Sequence, residues 1–145
     1  MTARKEWFIN YSPFCTPVPI GLGNDSIKKA FGLGSIRISM TANGVSRIFE
    51  LRNIYYVPDM GTNNLLSVTY MVRKGYTVNF GTNLCEISKA GLVIGKTENR
   101  KGLWILNGDP IMPSPQATYV AKVSQTSFGH ISTNSLMIPT VSRPA

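Results

Sequence analysis

The pair Asn43-Gly44 constrains the fold of this chain more than any other feature. Both central positions of a tight two-residue hairpin want positive φ, and asparagine and glycine supply it at least cost. The flanks agree with that turn. Ahead of it, Ser35-Ile36-Arg37-Ile38-Ser39-Met40 alternates strictly, so Ile36, Ile38 and Met40 share one face of a strand. Behind it, a strand from Val45 to Leu51 continues through Ile54, Tyr55 and Tyr56 until Pro58 ends it.

The remaining sequence supplies further strands. Val18 to Leu22 is extended, with Pro19 favouring an edge or a strand start, and Gly21, Gly23 and Asn24 offer a turn. Ser26 to Phe31 reads as either a strand or a short helix. Tyr76 to Phe80 alternates; Leu84 to Ile87, Leu92 to Ile94 and Leu103 to Leu106 follow, with turns at Gly81-Thr82-Asn83 and Lys89-Ala90-Gly91. One helix is expected over residues 65–74, capped by Asn63 or Asn64 and stopped by Gly75. Many short strands at roughly 8–12-residue spacing with a single helix indicate a mostly all-β protein, an antiparallel barrel or sandwich.

Composition bounds the size of that unit. The chain has 145 residues, which fits one domain plus a tail. Apolar residues at 43% can fill a core, and charged residues at 15% argue against a highly charged disordered chain. The composition shifts near Asn107. Pro110, Pro113, Pro115, Pro139 and Pro144 crowd the far end, serine and threonine are dense there, and charges nearly vanish. The expected organisation is a β domain over residues 1–107 and a tail over residues 108–145. No apolar run approaches the roughly 20 residues that span a bilayer. The first residues lack the apolar stretch of a secretory signal, so the expected setting is the cytoplasm or nucleus, with no membrane partner.

The net charge of +8 suggests a polyanion. Its largest clusters are only pairs: Arg4-Lys5, Lys28-Lys29, Arg73-Lys74 and Arg100-Lys101. Weak nucleic-acid binding is therefore one expectation, and a solvated basic surface is the plainer one.

The residues that carry chemistry are sparse. His130, the one histidine, lies in the tail, away from any nucleophile. Cys15, Cys85 and His130 lack the spacing of a zinc site, and two distant cysteines make no disulfide framework. Gly21-Leu22-Gly23 and Gly32-Leu33-Gly34 do not continue as a phosphate-binding fingerprint, so hairpin turns or bulges explain them better. Trp7, Phe8, Tyr11 and Phe14 form an aromatic cluster best read as core. Paired-aspartate chemistry needs two aspartates sharing a proton, from turns in which Ser/Thr-Gly follows the Asp. Asp25, Asp59 and Asp109 each lack that continuation. No catalytic, cofactor-binding or metal-binding residue is expected.

One series of segments is far more specific than composition. Leu51-Arg52-Asn53-Ile54-Tyr55-Tyr56-Val57-Pro58-Asp59-Met60 is followed by Asn64-Leu65-Leu66-Ser67-Val68. Then come Gly75-Tyr76-Thr77-Val78-Asn79-Phe80, Cys85-Glu86-Ile87 and Gly102-Leu103-Trp104-Ile105-Leu106. This order resembles the protease-region β-barrel of copia-type LTR retrotransposon Pol polyproteins. Upstream, Val18 to Asn24 and Gly32 to Ile36 resemble that family's glycine-containing strands. The likeness covers about residues 1–107, and Tyr56, Val57, Pro58, Asn64, Leu65, Leu66, Ser67, Val68 and Gly75 are its signature positions. It implies a retropepsin-like fold.

Two departures qualify what the resemblance implies. In the family a D-S-G-A-[ST] turn shortly precedes H-M-T. This chain opens with Met1-Thr2, where that H-M-T would end, so the catalytic turn is expected to be absent. In the tail, Ser127 to Ser132 resembles the end of a His-His-Cys-Cys module. His130 matches its second histidine, but Gln125 takes the place of the first, and no Cys-x-x-Cys follows.

The expected function is that of a non-catalytic remnant or recruited copy, acting by binding or self-association and needing no cofactor. The alternatives are a truncated part of an active aspartic endopeptidase, a barrel recruited to new chemistry through Asp25, Asp59 or Glu86, and a polyanion-binding module. A barrel short of an edge strand exposes backbone donors and acceptors. Either self-association, such as a homodimer, or the aromatic segment at residues 1–14 is expected to cover the gap.

Overall fold

A computed structural model describes residues 1–113 and the backbone of residues 136–139. Strands β1 (Phe8–Gly21), β2 (Ile27–Ala42) and β3 (Val45–Tyr56) come first, then the short β4 (Asn64–Leu65) and the helix α1 (Val68–Arg73). A meander follows: β5 (Thr77–Phe80), β6 (Leu84–Lys89), β7 (Leu92–Arg100) and β8 (Leu103–Leu106). Strands β9 (Gly108–Ile111) and β10 (Leu136–Pro139) complete the described elements. Two sheets result. One runs β1-β2-β3 with β9 also on β2, and the other runs β4-β10-β8-β7-β6-β5. Nearly all pairs are antiparallel; β10 with β4 is parallel. The chain is mostly β and barrel-like, with α1 as the single α-helix among the described residues.

The turn chemistry behaves as the sequence requires. Ala42 pairs Val45 across Asn43 and Gly44, whose φ values are 52° and 76°. Ala90-Gly91 and Lys101-Gly102 repeat the pattern, at 51° and 78° and at 53° and 81°. The second of these reads as a basic pair with its neighbour in the sequence, yet it is a hairpin turn between β7 and β8. Ser26 to Phe31 resolves as strand, since β2 begins at Ile27.

Gly32 and Gly34 lie inside β2 rather than in turns. A Cβ at Gly34 would meet the Asn10 carbonyl, and one at Gly32 the Ser12 carbonyl and the Tyr11 ring. The two glycines let β1 cross close to β2, and Gly34 borders a bulge in the β2–β3 ladder.

The core lies between the sheets. Ile36, Ile38 and Met40 point inward from β2 and meet Ile87, Trp104 and Leu106 from the meander. All six are nearly or fully buried, and each such aliphatic chain contributes about 1.5–3 kcal/mol relative to exposure. Trp7 and Phe8 join this core, Tyr11 packs against it, and Phe14 packs on a smaller cluster of Ala30, Val57 and Met60.

The helix is shorter than residues 65–74, and neither Asn63 nor Asn64 caps it. Ser67 does so, its hydroxyl accepting from the Tyr70 N–H at 3.2 Å. Asn64 and Leu65 are extended because they pair with β10 on one side and with Met1 on the other. Gly75, at φ 84°, ends the segment. Beyond residue 107, Gly108–Ile111 pairs with β2 from Met40 to Arg37, so the first sheet continues past that point.

Candidate functional site

The most distinctive local structure is built from the first two residues. Thr2 lies between two strand ends. Its N–H donates to the Tyr55 carbonyl at 2.9 Å and its carbonyl accepts from the Val57 N–H at 2.8 Å, a parallel bridge to Tyr56. Its hydroxyl donates to Asn64 Oδ1 at 2.6 Å. Both side chains are 1% exposed, so the bond satisfies polar atoms that water does not reach. Met1 faces Leu65: its amine donates to the Leu65 carbonyl at 2.8 Å and its carbonyl accepts from the Leu65 N–H at 3.0 Å. Burial holds the Met1 α-ammonium down to about 6, from an ordinary 8.0.

A groove of about 850 Å³ opens beside this junction. Its walls come from the end of β3 (Arg52 to Tyr55), from Leu65 to Tyr70 leading into α1, and from Met1, Ile20, Phe80 and Trp104. The volume suits an organic ligand or a peptide segment. Arg52 is the only charged side chain among the lining residues, and it pairs with Glu50 at 3.2 Å. Trp104 is 4% exposed and stacks on Phe80 with ring centroids 5.4 Å apart. Its Nε1 is buried and meets no hydrogen-bond partner, an arrangement that native interiors usually avoid.

The signature positions converge on this region. Tyr56 packs edge-on against Phe8 and Tyr11 under Lys5. Burial and the neighbouring Tyr56 raise the Tyr11 hydroxyl above its ordinary range. Val57 is fully buried, and Pro58 opens a short 3-10 turn. Asn64 holds Thr2, Leu65 and Leu66 line the groove, Ser67 caps α1, Val68 begins it, and Gly75 ends it.

The candidate acids do not meet. Asp25 sits exposed in the β1–β2 turn at φ 60°, Asp59 in the turn after β3, and Asp109 on β9. Glu86 lies on β6 and pairs with Lys96 at 3.8 Å. Among the described residues no group of three His, Cys, Asp or Glu side chains could hold a metal ion. Cys15 and Cys85 are both free. Cys85 is fully buried, and burial pushes its thiol up, partly offset by the Thr97 hydroxyl. His130 lies outside the described residues.

The four basic pairs fall on separate parts of the fold. Arg4-Lys5 is at the entry to β1, Lys28-Lys29 on β2, Arg73-Lys74 at the end of α1, and Arg100-Lys101 at the β7–β8 turn. Sequence reasoning missed Met1, Thr2, Ile20, Phe80 and Trp104 as neighbours. Only one sequence signal bore on them: Thr2 and Asn64 are polar beside apolar runs, and nothing local ties one to the other.

A family model described as "Pol polyprotein, beta-barrel domain" matches residues 1–76. That span holds β1 to β4, α1 and the whole Thr2–Asn64 junction. No curated protein and no solved structure matches this chain.

Proposed function

The chain belongs to the Pol polyprotein beta-barrel domain family, and from that premise we propose that it is a non-catalytic, copia-type module with a retropepsin-like fold that acts by association with a second copy of itself. The observation that carries the non-catalytic part is the dispersal of the acids. Asp25, Asp59, Asp109 and Glu86 stand on separate elements, whereas paired-carboxylate chemistry needs two carboxyls within about 3 Å of each other.

Association is supported by strand edges that pair with no other described strand. The outer edge of β1 and that of β3 from Val45 to Arg52 are both open among the described residues. Such edges present backbone donors and acceptors to another chain. Apolar side chains stand near them, with Ile48 at 66% exposure and Ile27 at 71%. Among the described residues no helix is long and apolar enough to cross a membrane. A reducing cytoplasm or nucleus suits the two free thiols.

Two measurements test the proposal. Sedimentation velocity over a range of concentrations should show a reversible dimer; a monodisperse monomer throughout ends the association reading. A peptide-cleavage assay should show no turnover, and turnover abolished by an aspartic-protease inhibitor ends the non-catalytic one.

A further inference from the structure

We propose that the groove beside the Thr2–Asn64 junction is the seat of one more β-strand, formed by the stretch of the same polyprotein that leads into Met1 and running parallel to β3. The register already set by Thr2 points there. Thr2 lies opposite Tyr56 in a parallel bridge, so a chain extended backward from Met1 passes Ile54 and Asn53. Both of these residues line the groove.

The hydrogen-bonding groups on that path are free to receive it. The Tyr55 carbonyl faces outward to Thr2, and in an extended strand a residue's N–H and C=O share one edge. The Tyr55 N–H therefore opens on the groove, where the carbonyl of the residue preceding Met1 falls in the parallel pattern. Trp104 Nε1 is a second buried donor without an acceptor at the same groove. The walls at Ile20, Ile54, Leu66 and Phe80 are apolar, as a strand with one buried face requires.

The Met1 nitrogen gives the continuity. It is buried and donates to the Leu65 carbonyl at 2.8 Å. A peptide N–H would make that bond without placing a charge in a dry site, whereas an ammonium there is desolvated. The position is built for an amide. The inference does not rest on self-association, since the groove uses β3 at Arg52 to Tyr55 rather than its open stretch from Val45.

The test compares three full-length proteins: one starting at Met1, one preceded by Val-Thr-Val-Thr-Val and one preceded by Gly-Ser-Gly-Ser-Gly. The alternating β-branched extension should raise the thermal midpoint about 4 °C or more above the Gly-Ser form. It should also slow exchange of the Tyr55 amide by about tenfold or more. The Trp104 indole N–H resonance should move downfield as it gains an acceptor. Equal midpoints with unchanged Tyr55 exchange overturn the proposal. So does anilinonaphthalene sulfonate binding equally well to both extended forms, since the groove would then still be open. The free peptide Val-Thr-Val-Thr-Val, added at about 0.1 mM to the unextended protein, should have little effect, because covalent attachment supplies a far higher local concentration. A full effect from the free peptide overturns continuity with Met1 in favour of a strand supplied by another molecule. Sedimentation reads the dimer separately in all three proteins, so the two proposals fail independently.

Discussion

The β5–β8 meander and the Thr2–Asn64 junction are both built from extended backbone, but they are held in opposite ways. Each meander strand pairs with its neighbour in sequence, through turns such as Ala90-Gly91 and Lys101-Gly102. The junction joins residues 62 and 64 positions apart through a buried side-chain bond and a buried amine. Local pairing needs little loop closure, whereas a distant contact forms only once the chain between is ordered. The meander should therefore fail as a unit with the core, and the junction should loosen locally.

The largest effect expected from breaking this contrast lies in the meander. Ile87 is fully buried between the sheets, so Ile87→Ala should cost about 3–4 kcal/mol. Denaturant unfolding should show one shifted transition by every probe. A loss confined to the meander, with the rest of the fold unshifted, breaks the claim that the two sheets share a core.

The junction comes next. Asn64→Ala leaves the Thr2 hydroxyl buried without its acceptor and should cost about 2 kcal/mol. Native-state hydrogen exchange should rise at Thr2, Val57 and Leu65 while β6 and β7 keep their protection. The pair Thr2→Val with Asn64→Leu should recover part of the loss, because no polar atom is then stranded. If the double variant is as unstable as the sum of the singles, the bond is not the source of the effect.

A pH dependence of similar size follows at the same place. In the protein beginning at Met1, the folded amine holds a proton less tightly than the unfolded one, about 6 against 8.0. The unfolded state then binds more protons between those values, so stability rises with pH across that window. The gain should be roughly 2 kcal/mol, fully present above pH 8 and lost on falling through pH 6. Urea unfolding at intervals across the window measures it. Acetylation of the amine should flatten the slope, and an unchanged slope assigns it to another group.

The smallest effect sits in the turns. Gly91 has φ 78° with open space around it, so Gly91→Ala meets backbone strain and no clash. A cost of about 1 kcal/mol is expected, read as a modest fall in thermal midpoint.

How much was legible in the sequence follows the same division. The Asn43-Gly44 hairpin, the inward face of Ile36, Ile38 and Met40, and the order of short strands from Tyr76 to Leu106 all rest on near neighbours, so period and turn chemistry revealed them. The helix was misplaced at its start because Asn64-Leu65 was read from local capping rules. Its extended form depends on Met1 and on β10, both far away in sequence. Gly32 and Gly34 were seen but misread in part, since the need for glycine comes from the approach of β1.

What the sequence determined by itself was a mostly β chain, its hairpins and its likeness to a Pol polyprotein β-barrel, because turn propensity and alternation act over a few residues. Only the tertiary structure decided that Thr2 and Asn64 meet, that Trp104 has a stranded N–H, and that an apolar groove opens beside Met1. Those features depend on which distant surfaces come together when the two sheets close. Burial then turns an ordinary threonine, asparagine or amine into a group whose partner matters.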